Sequence, residues 1–392
     1  MMFGGAVQLI ATLLFWGSEL TGRYTGLWAP LQTAMPTTYA HILLMLYTLF
    51  PFFFFGFLMT TYPRWMNGPV IPKGRYVPPF FLMTGGVVTI YVGLLHSAYL
   101  LGAGLMLYLL GYSAGLRALW RVYRTAPARD KSYESILNVA LFAGWSGIAA
   151  FLLWLPSGNW YLVNYAKTIG IWWFLVPIAL TVAHRMIPFF SSCVLPDYTA
   201  FQPKASLLLM LGCSVGHGVL ELASASAWLW IVDAPFAGLA LFHTLRWGFR
   251  RSFEVRLLAV LHVAFLWLGV ALSLYTLQSF LALTGSAVTL GRAPLHALTI
   301  GCLASLTLAM ATRVTLGHSG RALEMDRFTW LLFWGISATA LIRISAALPF
   351  PGTIGNGSLN LVAAMAWLIF MAPWAMRYGV IYLRPRADGR PG

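Results

Sequence analysis

Runs of about 20 apolar residues recur along almost all of this 392-residue sequence, each bounded by charge, glycine or proline. A helix needs about that length to cross the hydrocarbon of a bilayer. The runs lie near residues 2–20, 39–60, 78–96, 99–119, 134–155, 168–189, 205–224, 227–247, 256–280, 294–314, 328–348 and 359–382. Twelve spans use roughly 240 residues, which leaves only short connections and no room for a sizeable soluble domain. A single integral membrane domain over 1–392 is therefore expected.

Charged residues make up only 9% of the chain, and 59% is apolar. A soluble protein carries about a quarter charged residues. A closed β-barrel also spans membranes, but its strands alternate apolar and polar residues. Phe50 to Met59 and Leu207 to Leu211 show no alternation. The expected fold is an all-α polytopic membrane helix bundle of about 12 transmembrane helices. Only the residues around Leu95 to Tyr99 separate the third run from the fourth, so residue pattern alone leaves a count of eleven open.

The net charge of +15 is spread between the apolar runs, whereas a nucleic-acid binder concentrates basic residues on one face. No nucleic-acid partner is expected. With the N-terminus inside, Arg64, Lys73, Arg75, Arg117, Arg121, Arg124, Arg129, Lys131, Arg185 and Lys204 fall on the cytoplasmic side. Arg246, Arg250, Arg251, Arg256, Arg313, Arg321, Arg327, Arg377, Arg384, Arg386 and Arg390 join them, and only Arg23, Lys167, Arg292 and Arg343 lie outside. Such a skew places both termini in the cytoplasm and favours twelve spans. The first run lacks a basic leader and a cleavage site, so it reads as a retained helix. The expected setting is a bacterial inner membrane. The three cysteines, Cys193, Cys213 and Cys302, follow no disulfide or zinc spacing.

Eight histidines stand out in so apolar a chain, because polar groups in hydrocarbon are costly and are kept near partners, cavities or metals. By topology His41, His96, His217 and His296 lie near the outer face. His184, His243, His262 and His318 lie near the cytoplasmic face. His296 and Arg313 are 17 positions apart on one helix, roughly 26 Å, so that helix serves both layers. Imidazole suits copper and iron, whereas calcium and magnesium need oxygen ligands that are scarce here. Haem also needs an aromatic pocket, which 17 Trp, 17 Tyr and 26 Phe can supply.

His41 and Met45, at i and i+4, share one helical face and could hold one copper ion. They cannot be opposite axial ligands of a haem. Cys213, His217 and Glu221 form an i, i+4, i+8 stripe suited to a copper site or a proton path, or to plain packing. His96 and His243 read as interhelical hydrogen-bond donors. Arg185, Arg313 and Arg343 have the planar fork that suits haem propionates. The metal candidates are His41, Met45, His217 and His296.

The segment Leu295 to Leu323, LHALTIGCLASLTLAMATRVTLGHSGRAL, resembles the His-Ala-Leu-Thr, Thr-Arg-Val and Gly-His-Ser/Thr-Gly-Arg blocks of the NnrS family. Ala40 to Trp65, His184 to Pro196 and Val260 to Leu272 agree in order, so the resemblance covers about residues 36–345. It implies a twelve-helix membrane protein that binds haem and copper and acts in nitric oxide metabolism or protection against nitrosative stress. Nitric oxide is the implied ligand. His41, His184, His262, His296 and His318 stand at family motif positions, with Arg185, Arg313, Arg321 and Arg343 in support, and depth adds His217. Many members carry His-Ala-His-Glu-Met in the second span, whereas this chain has His41, Ile42, Leu43, Leu44 and Met45. A site that needs the second His and the Glu is altered or absent.

Two other classes compete. A haem-copper oxidase or nitric oxide reductase-like core would carry adjacent histidines and a His-Pro-Glu segment, and neither occurs. A proton-coupled secondary transporter would show matched Gly/Pro interruptions in two halves, and no such repeat is evident. The chain has no Cys-x-x-Cys-His attachment motif for electron entry, so the residues leave turnover and the redox partner open.

Overall fold

A computed structural model describes residues 1–348 and 356–389. Arg390, counted above on the cytoplasmic side, lies outside the described residues. The described chain is helical and contains no strand, as expected where the backbone must satisfy its own hydrogen bonds. The long helices are α1 (Met2–Thr25), α2 (Thr37–Trp65), α3 (Lys73–His96), α4 (Ala98–Thr125), α5 (Ser132–Ser157) and α6 (Trp160–Val194). They continue with α7 (Lys204–Leu222), α8 (Trp230–Arg246), α9 (Arg256–Leu283), α10 (Ala293–His318), α11 (Arg327–Ser345) and α12 (Asn356–Ile381).

Eleven are long and apolar enough to cross a membrane, and α8 has 17 residues. The chain is a multi-pass membrane protein. The α3/α4 boundary is sharp: Ser97 is extended (φ −163°, ψ 134°) and its side chain accepts a hydrogen bond from the Tyr99 N–H, starting α4. Asn159 caps α6 the same way, by accepting from the Tyr161 N–H. That cap starts α6 well ahead of the expected residue 168, and the helix runs 35 residues.

Contacts divide the chain into two compact units, Met1–Ile178 and Ala179–Gly392, with the boundary inside α6. In the first unit α3 and α4 form a close hairpin with glycines on the seam. A Cβ on Gly86 would sit 2.5 Å from the Tyr108 nitrogen, and one on Gly104 would sit 2.6 Å from the Ile90 nitrogen. Only Gly lets the backbones approach so closely.

Three stretches are π-helical: Leu43–Leu49 in α2, Gly170–Leu175 in α6 and Ala297–Ala304 in α10. Such segments recur at functional sites. Tyr47, on the first of them, is fully buried against Gly147 and Gly170 and donates to the Ala166 carbonyl at 2.5 Å. In the second unit α9 packs against both α8 and α10, and most of its length is buried. It presents apolar side chains on every face, as a central helix must.

Candidate functional site

The second unit brings together histidines of the layer expected on the cytoplasmic side. His184 on α6, His243 on α8 and His262 on α9 are all buried. The His184 and His243 rings meet edge to face with centroids 5.7 Å apart, and Trp247, one turn beyond His243, packs on both. Trp247 also lies 4.6 Å from Phe265 and donates its indole N–H to the Phe201 carbonyl at 2.9 Å. Ser191, two turns along α6 from His184, faces His262.

Hydrogen bonding defines the state of two of these rings. Ser206 donates to the Pro203 carbonyl at 2.8 Å, so its oxygen accepts from His243 Nε2–H, also at 2.8 Å. Ser191 donates to the Ile187 carbonyl at 3.0 Å and accepts from His262 Nε2–H at 3.2 Å. Each neutral ring then carries its lone pair on Nδ1, and neither buried Nδ1 has a hydrogen-bond partner. An acceptor buried without a partner is costly. A hydrogen bond to the other ring nitrogen, which fixes the tautomer, is also how ligand histidines are held.

The outer layer holds a different arrangement. His217 on α7 shares a 2.7 Å hydrogen bond with Asp233 on α8 through Nδ1, both side chains buried, and Tyr275 on α9 stands edge-on at 5.0 Å. The carboxylate orients the ring by holding Nδ1. His296 precedes the π-helical stretch of α10, is half-buried, and bonds through Nδ1 to the Arg292 carbonyl at 2.9 Å. In the first unit, His41 stacks on Trp16 with centroids 4.2 Å apart, and the Arg23 guanidinium lies 5.8 Å from the same indole ring. Met45 lies in the π-helical stretch just after His41.

Among the described residues no three His, Cys, Asp or Glu side chains gather as a metal-holding group. The expected outer set of His41, Met45, His217 and His296 is therefore not part of any group of three such side chains among the described residues. His217 is paired with Asp233, and His296 bonds within its own turn. His96 is exposed at the end of α3 and makes no interhelical hydrogen bond, contrary to expectation, because α3 ends there at the surface. His243 does bridge helices, through Ser206, and it also faces His184. His318 and Arg343 are half-buried at helix ends.

Arg313 is buried, with its guanidinium 4.0 Å from the centroid of the Phe190 ring. Arg185 stands next to His184, and its carbonyl accepts from the Gln202 side chain at 2.8 Å. Sequence reading missed Asp233, Ser191, Ser206 and Trp247, and it gave His243 only the role of an interhelical hydrogen-bond donor, which its bond to Ser206 bears out. Asp233 carried a readable signal: an acid within an apolar run is a functional candidate.

The sequence profile of the NnrS family, described as NnrS protein, matches residues 1–386. The chain belongs to the NnrS family. No curated protein matches it. The match takes in both histidine layers and every π-helical stretch, so the cluster on α6, α8 and α9 lies within an NnrS-type membrane protein from end to end.

Proposed function

We propose that this NnrS protein binds copper and haem in the cytoplasmic membrane of a bacterium and acts in nitric oxide metabolism or protection against nitrosative stress. The observation that carries the reading is the His184–His243 pair. Its rings are 5.7 Å apart, a separation one ion can bridge, and His243 presents a buried Nδ1 lone pair with Nε2–H fixed on Ser206. Imidazole nitrogens among buried aromatic side chains suit copper. His262, about 10 Å along α6 by its contact with Ser191, offers a second such nitrogen.

The outer layer suits haem better. A porphyrin is crowded by the side-chain carbon beside Nδ1, so iron prefers Nε2, the ring nitrogen of His217 that does not bond Asp233. Haem iron, when bound, would supply the coordination position that takes nitric oxide. His41, Met45 and His296 remain outer-layer candidates without a completed donor set, and the proposal assigns them no metal.

Absorption spectra of the detergent-purified protein, oxidised and then dithionite-reduced, test the reading together with metal analysis. A Soret band that shifts on adding nitric oxide and is lost in His217→Ala, with copper lost in His243→Ala, is the expected outcome. Protein that takes up neither haem nor copper on reconstitution refutes it, as do unchanged spectra and metal content in both variants.

A further inference from the structure

Arg313 lies on α10, five residues before its cytoplasmic-side end at His318, and is only 6% exposed. Among the described residues it has no carboxylate partner and no hydrogen bond. Its contacts are the Phe190 ring, 4.0 Å from the guanidinium carbon, and the neighbouring Cys193. The ring covers one face of the guanidinium and leaves its edge, where the N–H donors point, without an acceptor. A guanidinium on so buried a side chain gains from a counter-charge that reaches its open edge.

Positive-inside topology explains why an Arg stands near this membrane face, but a topology signal needs only an exposed or snorkelling side chain. Arg313 is instead only 6% exposed and stacked on Phe190. A second guanidinium points the same way: Arg321, whose backbone folds back on Leu316 in the turn after α10, has a buried Nη1 with no partner. The end of α10 and the turn after it thus carry two arginines whose side chains have no hydrogen-bond partner among the described residues, and one of them has a buried donor atom.

We propose that Arg313 is the core of an oxyanion-binding site at the cytoplasmic-side end of α10. The ligand class is a small planar anion, nitrite, nitrate or a carboxylate, held by the bidentate geometry that a guanidinium edge offers to two coplanar oxygens. Phe190 sets the plane of the guanidinium by stacking on it, and Arg321 adds charge at the mouth. The site is separate from the metal reading above, since it stands on Arg313 and Phe190 and uses none of the histidines.

The test is thermal unfolding of the purified full-length protein, with nitrite or acetate as probe against chloride at matched ionic strength. Wild type should show a saturable rise in Tm of about 3 °C or more with the planar anions. Arg313→Gln should weaken the apparent affinity at least about tenfold, and Arg313→Lys should recover part of it, because charge without the fork binds less well. Identical responses in wild type and Arg313→Gln, or no anion-specific rise in wild type, overturn the proposal. Parallel runs on haem-loaded and haem-free protein separate a free anion from a haem propionate. Equal responses support the free-anion site, and a response confined to haem-free protein overturns it. Should Arg313→Gln fail to fold, Phe190→Leu is the second variant: it keeps the guanidinium but loses the stacking, and unaltered anion affinity there counts against the proposal.

Discussion

Replacing Gly104 by alanine should open the α3–α4 hairpin. The added Cβ would sit 2.6 Å from the Ile90 nitrogen, 2.9 Å from the Thr89 carbonyl carbon and 3.0 Å from the Gly86 oxygen. All three are backbone atoms, so no rotamer change relieves the clash. Reaching an ordinary separation near 3.4 Å moves the helices apart by about 0.8 Å, a gap that forfeits a quarter to a half of each dispersion contact along the seam. Overpacking of this kind costs about 1–3 kcal/mol, and a rigid opposing backbone puts Gly104 at the upper end. The better helix propensity of alanine returns up to about 1 kcal/mol, leaving about 2 kcal/mol net and a fall in Tm of several degrees. Gly85 and Gly102 lie in the same two helices, and there a Cβ meets only a leucine methyl at 3.5 Å. Thermal unfolding of Gly104→Ala beside Gly85→Ala and Gly102→Ala isolates the seam. If all three melt together, close backbone approach is not what holds the hairpin.

Other sites give further tests. Asp326 caps α11 by accepting from the Thr329 N–H at 3.0 Å and pairs with Arg377 at 2.7 Å. Partial burial works to raise its pKa, but the Thr329 hydrogen bonds and the Arg377 charge outweigh it and hold the carboxyl below its ordinary 3.8. The stability it adds is present above that pH and is lost as pH falls through the lowered value. Wild type should therefore lose more Tm on acidification than Asp326→Asn, which keeps the cap without the charge; equal acid sensitivity would rule this out. Asp326→Ala at neutral pH should cost about 1 kcal/mol through the lost cap, read by the same unfolding assay. Ser206→Ala removes the acceptor that fixes the His243 tautomer, and should weaken copper binding about 10–100-fold in a competition titration with no loss of fold. Asp233→Leu leaves His217 Nδ1 without its carboxylate and should destabilise the protein by about 1–3 kcal/mol; a melting temperature equal to wild type would show that the pair contributes nothing.

How much of this was readable in the sequence depends on what each signal measures. The spans were legible because length and apolarity are the conditions for crossing hydrocarbon, and the structure recovers each run as a helix. Their ends were less so. Asn159 extends α6 upstream because a cap, and not hydropathy, starts the helix. The π-helical stretches in α2, α6 and α10 left no mark, since wider turns of leucine and glycine have the composition of ordinary ones.

Which histidines meet was the least legible feature. In a soluble protein the apolar stripe of a helix tells which side faces the core. Within a bilayer the surroundings are as apolar as the interior, so that stripe vanishes, and α9 is apolar on every face. Facing information then resides in small residues, which mark where backbones touch, and in polar ones, which cannot be left toward lipid. Gly86 and Gly93 against Gly104 and Gly111, each pair seven apart, spell out the α3–α4 seam in the sequence itself. His243 and Ser206 do the same for α8 and α7, and Asp233 and His217 join those helices again toward the outer face. Two polar ties between one pair of helices fix how α7 and α8 face each other, and with that orientation His243 points at His184. The copper reading thus depends on Ser206 and Asp233 as much as on the histidines, and that is why their variants test it.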